Sequence, residues 1–207
     1  MGKERPGVIF FDLGNVIVKV HEDKLEEGYS RHAKFKPGDI LEYFRTSREV
    51  KSYAEGKISS SQFFARTRRR FRMDVKFGEF YGIWNGIFSP EPGTEDVIRG
   101  IRSAYPDVKL VLVSDTNEAH FEYIKVTYPV LNMFDGYVLS YKVGKLKPHH
   151  AMFTEALRVA GSKPRDSFYT DDREDLIAAA RVMGIKAFVF VDAPTLKRDL
   201  SRLGFDL

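Results

Sequence analysis

The stretch Val8-Ile9-Phe10-Phe11-Asp12 decides the fold, because four consecutive apolar residues end in a single acidic one. An uninterrupted apolar run of this length is typical of a strand that is buried on both faces, as in a parallel sheet. Three later β-rich runs also end in hydroxyl or acidic residues: 108–113 before Ser114 and Asp115, 167–170 before Asp171 and Asp172, and 187–191 before Asp192.

Helical patterns separate these runs. Apolar residues recur at helical spacing in four segments, 94–104, 118–127, 151–160 and 175–183. Strands that alternate with helices predict right-handed βαβ crossovers and an α/β fold whose parallel sheet lies between helical layers. Residues 21–90 break the alternation, since they have few β-runs and carry aromatic residues at helical spacing. We therefore predict a core domain of residues 1–20 and 91–207, with 21–90 inserted as an α-helical domain.

The composition excludes several classes of protein. There are no cysteines among the 207 residues, which rules out thiol nucleophiles, disulfide frameworks and cysteine metal sites. No apolar stretch approaches the roughly 18 residues that span a bilayer, and no secretory leader is predicted, so we expect a cytoplasmic protein without membrane contact.

Acidic and hydroxyl side chains follow three of the predicted strands. Asp12, Ser114, Asp115, Asp171 and Asp172 all stand where a strand ends. In an open parallel sheet, ligands bind beyond the carboxyl ends of the strands. These side chains therefore predict a binding or catalytic site at one edge of the sheet, whereas Asp192 is interpreted as a helix cap or turn residue.

Four ordered segments then point to a family. FDLGNV (11–16), LVSDTN (112–117), KLKP (145–148) and YTDD (169–172) resemble the four motifs of the haloacid dehalogenase (HAD) superfamily. The resemblance covers nearly the whole chain and implies a Rossmann-like three-layer core with a helical cap inserted after the first motif. YAEGKIS (53–59) and the region of Trp84 are similar to the branch that contains sugar-1-phosphatase-like proteins and the epoxide hydrolase N-terminal phosphatase-like domain.

The resemblance implies a Mg²⁺-dependent phosphatase that hydrolyses a small phosphate monoester, with a sugar phosphate as one candidate. Asp12 would be the nucleophile and would form an aspartyl-phosphate. The Mg²⁺ ligands would be Asp12, the backbone carbonyl of Gly14 and Asp172, with Asp171 in support. A cation is also required physically, because buried or adjacent carboxylates are costly without one.

The remaining implied residues surround the phosphate. Ser114 would donate a hydrogen bond to a phosphoryl oxygen, together with backbone N–H groups near Asp115 and Thr116. Lys147 would neutralise the phosphate and orient the nucleophile. The implied partner is a small phosphorylated metabolite.

The chain departs from the family pattern at three positions. Gly14 replaces the usual second Asp of the first motif, which protonates the leaving group, and such a loss is worth about 10²–10⁴-fold in rate. Leu176 stands where the branch usually has Asn, and Asp115 where relatives often have Asn. His21 is considered as a substitute proton carrier. Asp175 is considered as a substitute metal contact or as a helix cap.

These departures keep two rivals open. One is a ligand-binding or regulatory protein that kept the fold and lost efficient turnover. The other is a metal-free 2-haloacid dehalogenase, which also uses an Asp nucleophile but does not need the acidic pair at 171 and 172.

The basic charge belongs to the inserted segment. The chain has 33 Lys and Arg against 29 Asp and Glu, a net charge of +4. Residues 21–90 hold 14 basic and 10 acidic residues, so the whole excess lies there. The arginine-rich run 66–72 is interpreted as a basic lid over the phosphate pocket or as a solvated helix face, in preference to a nucleic-acid-binding helix.

Overall fold

A five-stranded parallel sheet forms the centre of the computed structural model, which describes residues 5–36 and 38–207. Its strand order is β5-β4-β1-β6-β7, and a separate two-stranded antiparallel sheet pairs β2 with β3. The strands are β1 (Val8–Phe11), β2 (Val18–Val20), β3 (Phe88–Pro90), β4 (Lys109–Ser114), β5 (Gly136–Leu139), β6 (Ser167–Asp171) and β7 (Lys186–Val189).

Eleven helices are assigned in the described ranges. They are α1 (Asp23–Ser30), α2 (Asp39–Thr46), α3 (Arg48–Ala54), α4 (Ser60–Phe71), α5 (Phe77–Asn85), α6 (Thr94–Ala104), α7 (Glu118–Thr127), α8 (Ser140–Val143), α9 (His150–Ala160), α10 (Glu174–Val182) and α11 (Ala193–Arg202). Short 3₁₀ turns cover Pro129–Met133 and Pro164–Asp166. In the described part of the chain, no helix combines the length and the apolar composition that a membrane span needs.

The central position of β1 explains its sequence. It pairs in parallel with β4 on one side and β6 on the other, and all four of its side chains are buried. Ile9 and Phe11 pack against the layer of α6, α7 and α11, whereas Val8 and Phe10 pack against α9 and α10. Because both faces need apolar cover, the strand is continuously apolar, and each fully buried Phe contributes roughly 1.5–3 kcal/mol. The predicted three-layer α/β fold is confirmed.

The segment between β1 and α6 has an apolar cluster of its own, formed by aromatic side chains from α1 to α5. The Tyr53 and Phe63 rings stack at 4.6 Å, and the Tyr29 and Phe80 rings lie 5.0 Å apart. Trp84 is only 4% exposed within this cluster. The aromatic residues that recur at helical spacing thus pack together as the interior of the helical insertion.

Three of the observed strands were not predicted from the sequence. The β2–β3 pair brings the chain into and out of the insertion, with Val20 opposite Phe88 and Val18 opposite Pro90. Each of these strands has three residues, and Pro90 by itself indicates a turn. The third is β5, a four-residue edge strand whose first two residues are only partly buried, so it lacks the long apolar run of an inner strand.

Candidate active site

Three strands deliver polar side chains to the same edge of the sheet. Phe11 is in register with Leu112 of β4 and Thr170 of β6, so Asp12 follows its strand at the level where Asp171 closes β6. The Asp12 amide donates to the Thr170 carbonyl at 3.0 Å, which fixes the turn beyond β1. The predicted convergence of strand ends is therefore present.

Lys147 lies at the centre of this edge. Its Nζ is 2.6 Å from Asp12 Oδ1 and 2.6 Å from Asp171 Oδ2, and it donates to the Tyr169 hydroxyl at 3.0 Å. The lysine side chain is 2% exposed and that of Asp171 is wholly buried. A buried cation between two carboxylates is stable only with such close partners, since removing charges from water is expensive.

Burial and neighbouring charges shift the pKa values in this cluster. Burial raises the pKa of Asp12 to about 7, Lys147 opposes this shift, and the Asp171 carboxylate adds to it. Burial alone would lower the pKa of Lys147, but Asp12, Tyr169, Asp171 and Asp115 together hold it well above its ordinary value. Lys147 is consequently cationic, and its charge supports the ionised form of Asp12.

Asp172 completes a group of three carboxylates. Oxygen atoms of Asp12, Asp171 and Asp172 all lie within 4.8 Å of one another. Burial raises the pKa of Asp172, and Asp171 raises it further. Oxygen donors with excess negative charge are what Mg²⁺ prefers, so these residues fit that ion. The Gly14 carbonyl, the fourth predicted ligand, accepts no hydrogen bond from any described residue.

Ser114 and its neighbours lie beside the lysine. Ser114 ends β4 and is 2% exposed, and its hydroxyl has no hydrogen-bond partner within the described ranges. The Asp115 carboxylate accepts the Lys147 amide at 2.9 Å, so it is engaged with backbone instead of facing a phosphate. The Thr116 amide donates to Ser140 Oγ at 2.9 Å, so the predicted use of this amide for phosphate does not fit the structure, although Ser114 remains available.

Two residues of this site were not singled out from the sequence. Asn15, at φ 55°, donates from Nδ2 to Asp172 Oδ2 at 3.0 Å, and its Oδ1 accepts the Val20 amide. Tyr169 contacts both Lys147 and Asp171. A signal for Tyr169 was available, because residues two apart on a strand share a face and Tyr169 precedes Asp171 by two.

The helical insertion touches this site through Ser140. The Ser140 hydroxyl lies 2.7 Å from the Ala54 carbonyl and 2.9 Å from the Thr116 carbonyl, and so connects the end of α3 to the loop after Ser114. Close by, Gly56 has φ +66°, and a Cβ there would stand 2.1 Å from the Tyr141 carbonyl oxygen. Only glycine allows this close approach of the two backbones.

The sequence departures have structural counterparts. Leu176 lies in α10, is 1% exposed and packs in the apolar core. Asp175 forms an ion pair with Arg173 at 2.7 Å and does not belong to the group of Asp12, Asp171 and Asp172. The His21 ring lies 2.7 Å from Ser89 Oγ, at the β2–β3 junction. Asp192 is the N-cap of α11, as interpreted from the sequence, and accepts the Thr195 amide at 2.7 Å.

The arginine run lies elsewhere. Arg66, Arg70 and Arg72 line a cavity of about 740 Å³ between α2, α3 and α4, together with acidic residues such as Glu42 and Glu49. None of the residues that line it belongs to the carboxylate–lysine cluster. The interpretation as a basic lid is therefore not supported by this arrangement, and the solvated helix face fits it.

Comparisons with known proteins identify relatives of the same fold and the family of the chain. A D-ribitol-5-phosphate phosphatase from Bacteroides thetaiotaomicron is 24% identical over 187 residues, covering 87% of this chain and 89% of that protein. A solved HAD family enzyme from Bacteroides thetaiotaomicron, in complex with magnesium and inorganic phosphate, superposes with a TM-score of 0.78 at 22% identity, covering 89% of this chain and 94% of that one. A solved chain from Porphyromonas gingivalis, described as a HAD-like family hydrolase, gives a TM-score of 0.81 at 22% identity, with 100% of each chain covered. The sequence model of the haloacid dehalogenase-like hydrolases matches residues 11–190, and the chain belongs to this family.

Proposed function

We propose that the chain is a Mg²⁺-dependent phosphatase that hydrolyses a small sugar phosphate or polyol phosphate through Asp12. The observation that carries the proposal is the buried cluster of Asp12, Lys147 and Asp171, with Asp172 beside it. The similarity to a D-ribitol-5-phosphate phosphatase supports the substrate class. The similarity to a HAD enzyme in complex with magnesium and phosphate supports the cofactor.

Asp12 is the nucleophile in this proposal. Its carboxylate oxygen forms a bond to phosphorus while the bond from phosphorus to the alcohol oxygen breaks, which leaves an aspartyl-phosphate and an alkoxide that takes a proton from solvent water. Water then attacks phosphorus, releases inorganic phosphate and regenerates the carboxylate. Lys147 keeps Asp12 ionised before the attack and offsets negative charge near the phosphoryl group during it.

The residues around Asp12 bind and orient. The unpartnered Ser114 hydroxyl and the Asp115 amide donate to phosphoryl oxygens. Asp12, Asp171, Asp172 and the Gly14 carbonyl would hold Mg²⁺, which supplies positive charge against the phosphate when bound. Asn15 orients Asp172 for that role.

Gly14 sets the preference among substrates. It has no side chain that could protonate the departing alcohol oxygen. Sugar and polyol phosphates are alkyl esters, so they depend on solvent water for this proton, and aryl esters, whose alcohols depart as stable anions, should react faster.

We propose residues 21–90 as a cap and residues 1–20 and 91–207 as the catalytic core. The cap would close over the bound ester and exclude bulk water. The contacts of Ser140 with Ala54 and of Gly56 with Tyr141 support this assignment of a cap and a core, because they hold one loop of the cap against the loops around the site.

The test is phosphate release from a panel of sugar and polyol phosphates with Mg²⁺. Wild type should release phosphate, and both EDTA and Asp12→Asn should abolish release. Asp107→Asn is the matched control, since Asp107 is exposed at the opposite end of β4 and should leave the rate unchanged. Activity that survives Asp12→Asn contradicts the nucleophile assignment.

The same panel separates the rivals. Binding of a phosphorylated compound without turnover would favour a ligand-binding protein. Halide release from 2-haloacids without Mg²⁺ would favour a dehalogenase. That reaction would not use the group of three carboxylates as a metal site.

A further inference from the structure

Tyr169 is fully buried in β6, on the same face of the strand as Asp171. Its ring packs edge-on against Phe153 with centroids 5.4 Å apart. Its hydroxyl accepts a hydrogen bond from Lys147 Nζ at 3.0 Å and donates one to Asp171 Oδ2. A purely apolar role would be filled by Phe, so the hydroxyl has to be explained by these two polar contacts.

The contact of the Tyr169 hydroxyl with Lys147 follows from the number of hydrogen-bond donors on the lysine. An ammonium group has three N–H donors and no acceptor. Two of them reach Asp12 Oδ1 and Asp171 Oδ2, and the Tyr169 hydroxyl takes the third. Because the side chain is only 2% exposed, solvent offers little substitute, and a donor without a partner would be costly.

The position of Nζ depends on the same hydroxyl. Two carboxylates compete for one cation, and movement of Nζ toward Asp171 would lengthen its bond to Asp12. Tyr169 accepts from Nζ and donates to Asp171, and so closes a ring of three hydrogen bonds that fixes Nζ relative to both. The other oxygen of Asp171 is held by the Arg173 amide at 2.9 Å, so the ring is anchored on a carboxylate that cannot swing freely.

We propose that Tyr169 is a positioning residue that holds the Lys147 ammonium against the Asp12 carboxylate. Tyr169 acts through Lys147 and does not touch the substrate. The catalytic consequence rests on the proposed phosphatase function, whereas the effect on Lys147 does not.

The test is Tyr169→Phe, which keeps the ring and its contact with Phe153. The matched control is Tyr137→Phe, since Tyr137 lies in strand β5 of the same sheet and its hydroxyl donates to the Leu131 carbonyl at 2.6 Å, outside the cluster. Tyr169→Met serves as a second variant, because a flexible apolar side chain can fill the space if Phe disturbs packing. Thermal unfolding verifies that each variant folds.

The first readout is independent of activity. In ¹⁵N-lysine-labelled protein, the Lys147 ammonium should give a slowly exchanging signal in wild type and in Tyr137→Phe. Its hydrogen exchange should be about 10-fold faster in Tyr169→Phe, the ratio expected for one lost hydrogen bond. Equal exchange in the two Phe variants overturns the proposal.

The second readout is kinetic. With saturating Mg²⁺, Tyr169→Phe should lower kcat about 10-fold and change KM less than about 2-fold, because the ground-state contacts of the phosphate are retained. A change in KM alone overturns the positioning role. If wild type hydrolyses no phosphate ester, the proposed function fails, and the exchange measurement still decides the role of Tyr169.

Discussion

Removal of the Lys147 charge is the most severe single perturbation that the site offers. Lys147→Met retains most of the apolar stem and deletes the ammonium. Both carboxylates that lie 2.6 Å from Nζ then lose their cation, and the Asp171 side chain has no solvent exposure at all. Two buried anions facing each other without a counter-ion are strongly destabilised.

The magnitude follows from that geometry. Breaking a buried pair by removing one partner costs about 3–5 kcal/mol. A domain has a total stability of about 5–15 kcal/mol, so Lys147→Met should lose a large part of it without Mg²⁺. For a chain of this length, that loss corresponds to a decrease in Tm of about 10 °C.

The assay is urea unfolding followed by circular dichroism at pH 7.5 in EDTA, repeated with Mg²⁺. A divalent cation that binds the folded state should restore part of the lost free energy in Lys147→Met. Lys145→Met is the control, because Lys145 is exposed in the same loop and should change the free energy of unfolding by less than about 0.5 kcal/mol. If both variants lose the same free energy in EDTA, the buried ion pairs are not what holds this edge together, and the reasoning is refuted.

Two further predictions concern Gly14 and His120. Gly14→Asp should raise the rate on alkyl phosphates at least about 10-fold more than on aryl phosphates, because a carboxyl group there can protonate the poorer leaving group. The substitution is sterically acceptable, since a Cβ at Gly14 would lie 3.4 Å from Val20 Cγ2. Gly14→Asn is the control, and an unchanged ratio of alkyl to aryl rates would contradict the assignment. Burial lowers the pKa of His120 to about 3, against the Trp84 carbonyl that favours its proton, so the unfolded chain binds more protons than the folded one as the pH falls from 6.5 toward 3. Between pH 7.5 and pH 5 this should cost wild type about 2 kcal/mol of stability that His120→Gln does not lose, and parallel pH profiles for the two proteins in urea unfolding would disprove it.

The sequence predicts the elements whose burial requires a regular pattern of apolar residues. The strand β1 and residues 110–113 of β4 are buried on both faces, so their sequences are apolar without interruption. The strand β6 is also buried, but only its aromatic pair Phe168-Tyr169 gives that signal, since the strand begins with Ser and ends in Thr and Asp. Because parallel strands end at a common edge, the position of Asp12 and Asp171 follows from the position of the strands. The predicted and observed bounds of α6 and α7 also agree, because each helix repeats its apolar residues and has a clear capping residue or turn before it.

The remaining features of the site arise from contacts between residues that are distant in the sequence. Asn15 and Asp172 are 157 positions apart, and Lys147 and Tyr169 are 22 apart on different elements. The two-residue spacing places Tyr169 on the same face of β6 as Asp171, but no local pattern indicates that its hydroxyl also meets a lysine. Asp115 is similar, since its role as an acceptor for the Lys147 amide becomes visible only when the two loops are brought together.

The distribution of charge in the fold argues for a cation in the proposed reaction. The excess of basic residues lies in the helical insertion, and its arginines line a cavity apart from the strand ends. At the strand ends, one buried lysine forms ion pairs with Asp12 and Asp171, and the Asp172 carboxylate lies beside them. A phosphate monoester is an anion, so this edge would repel it unless further positive charge were bound there first. In the proposed reaction, a divalent cation held by these oxygen donors would supply that positive charge.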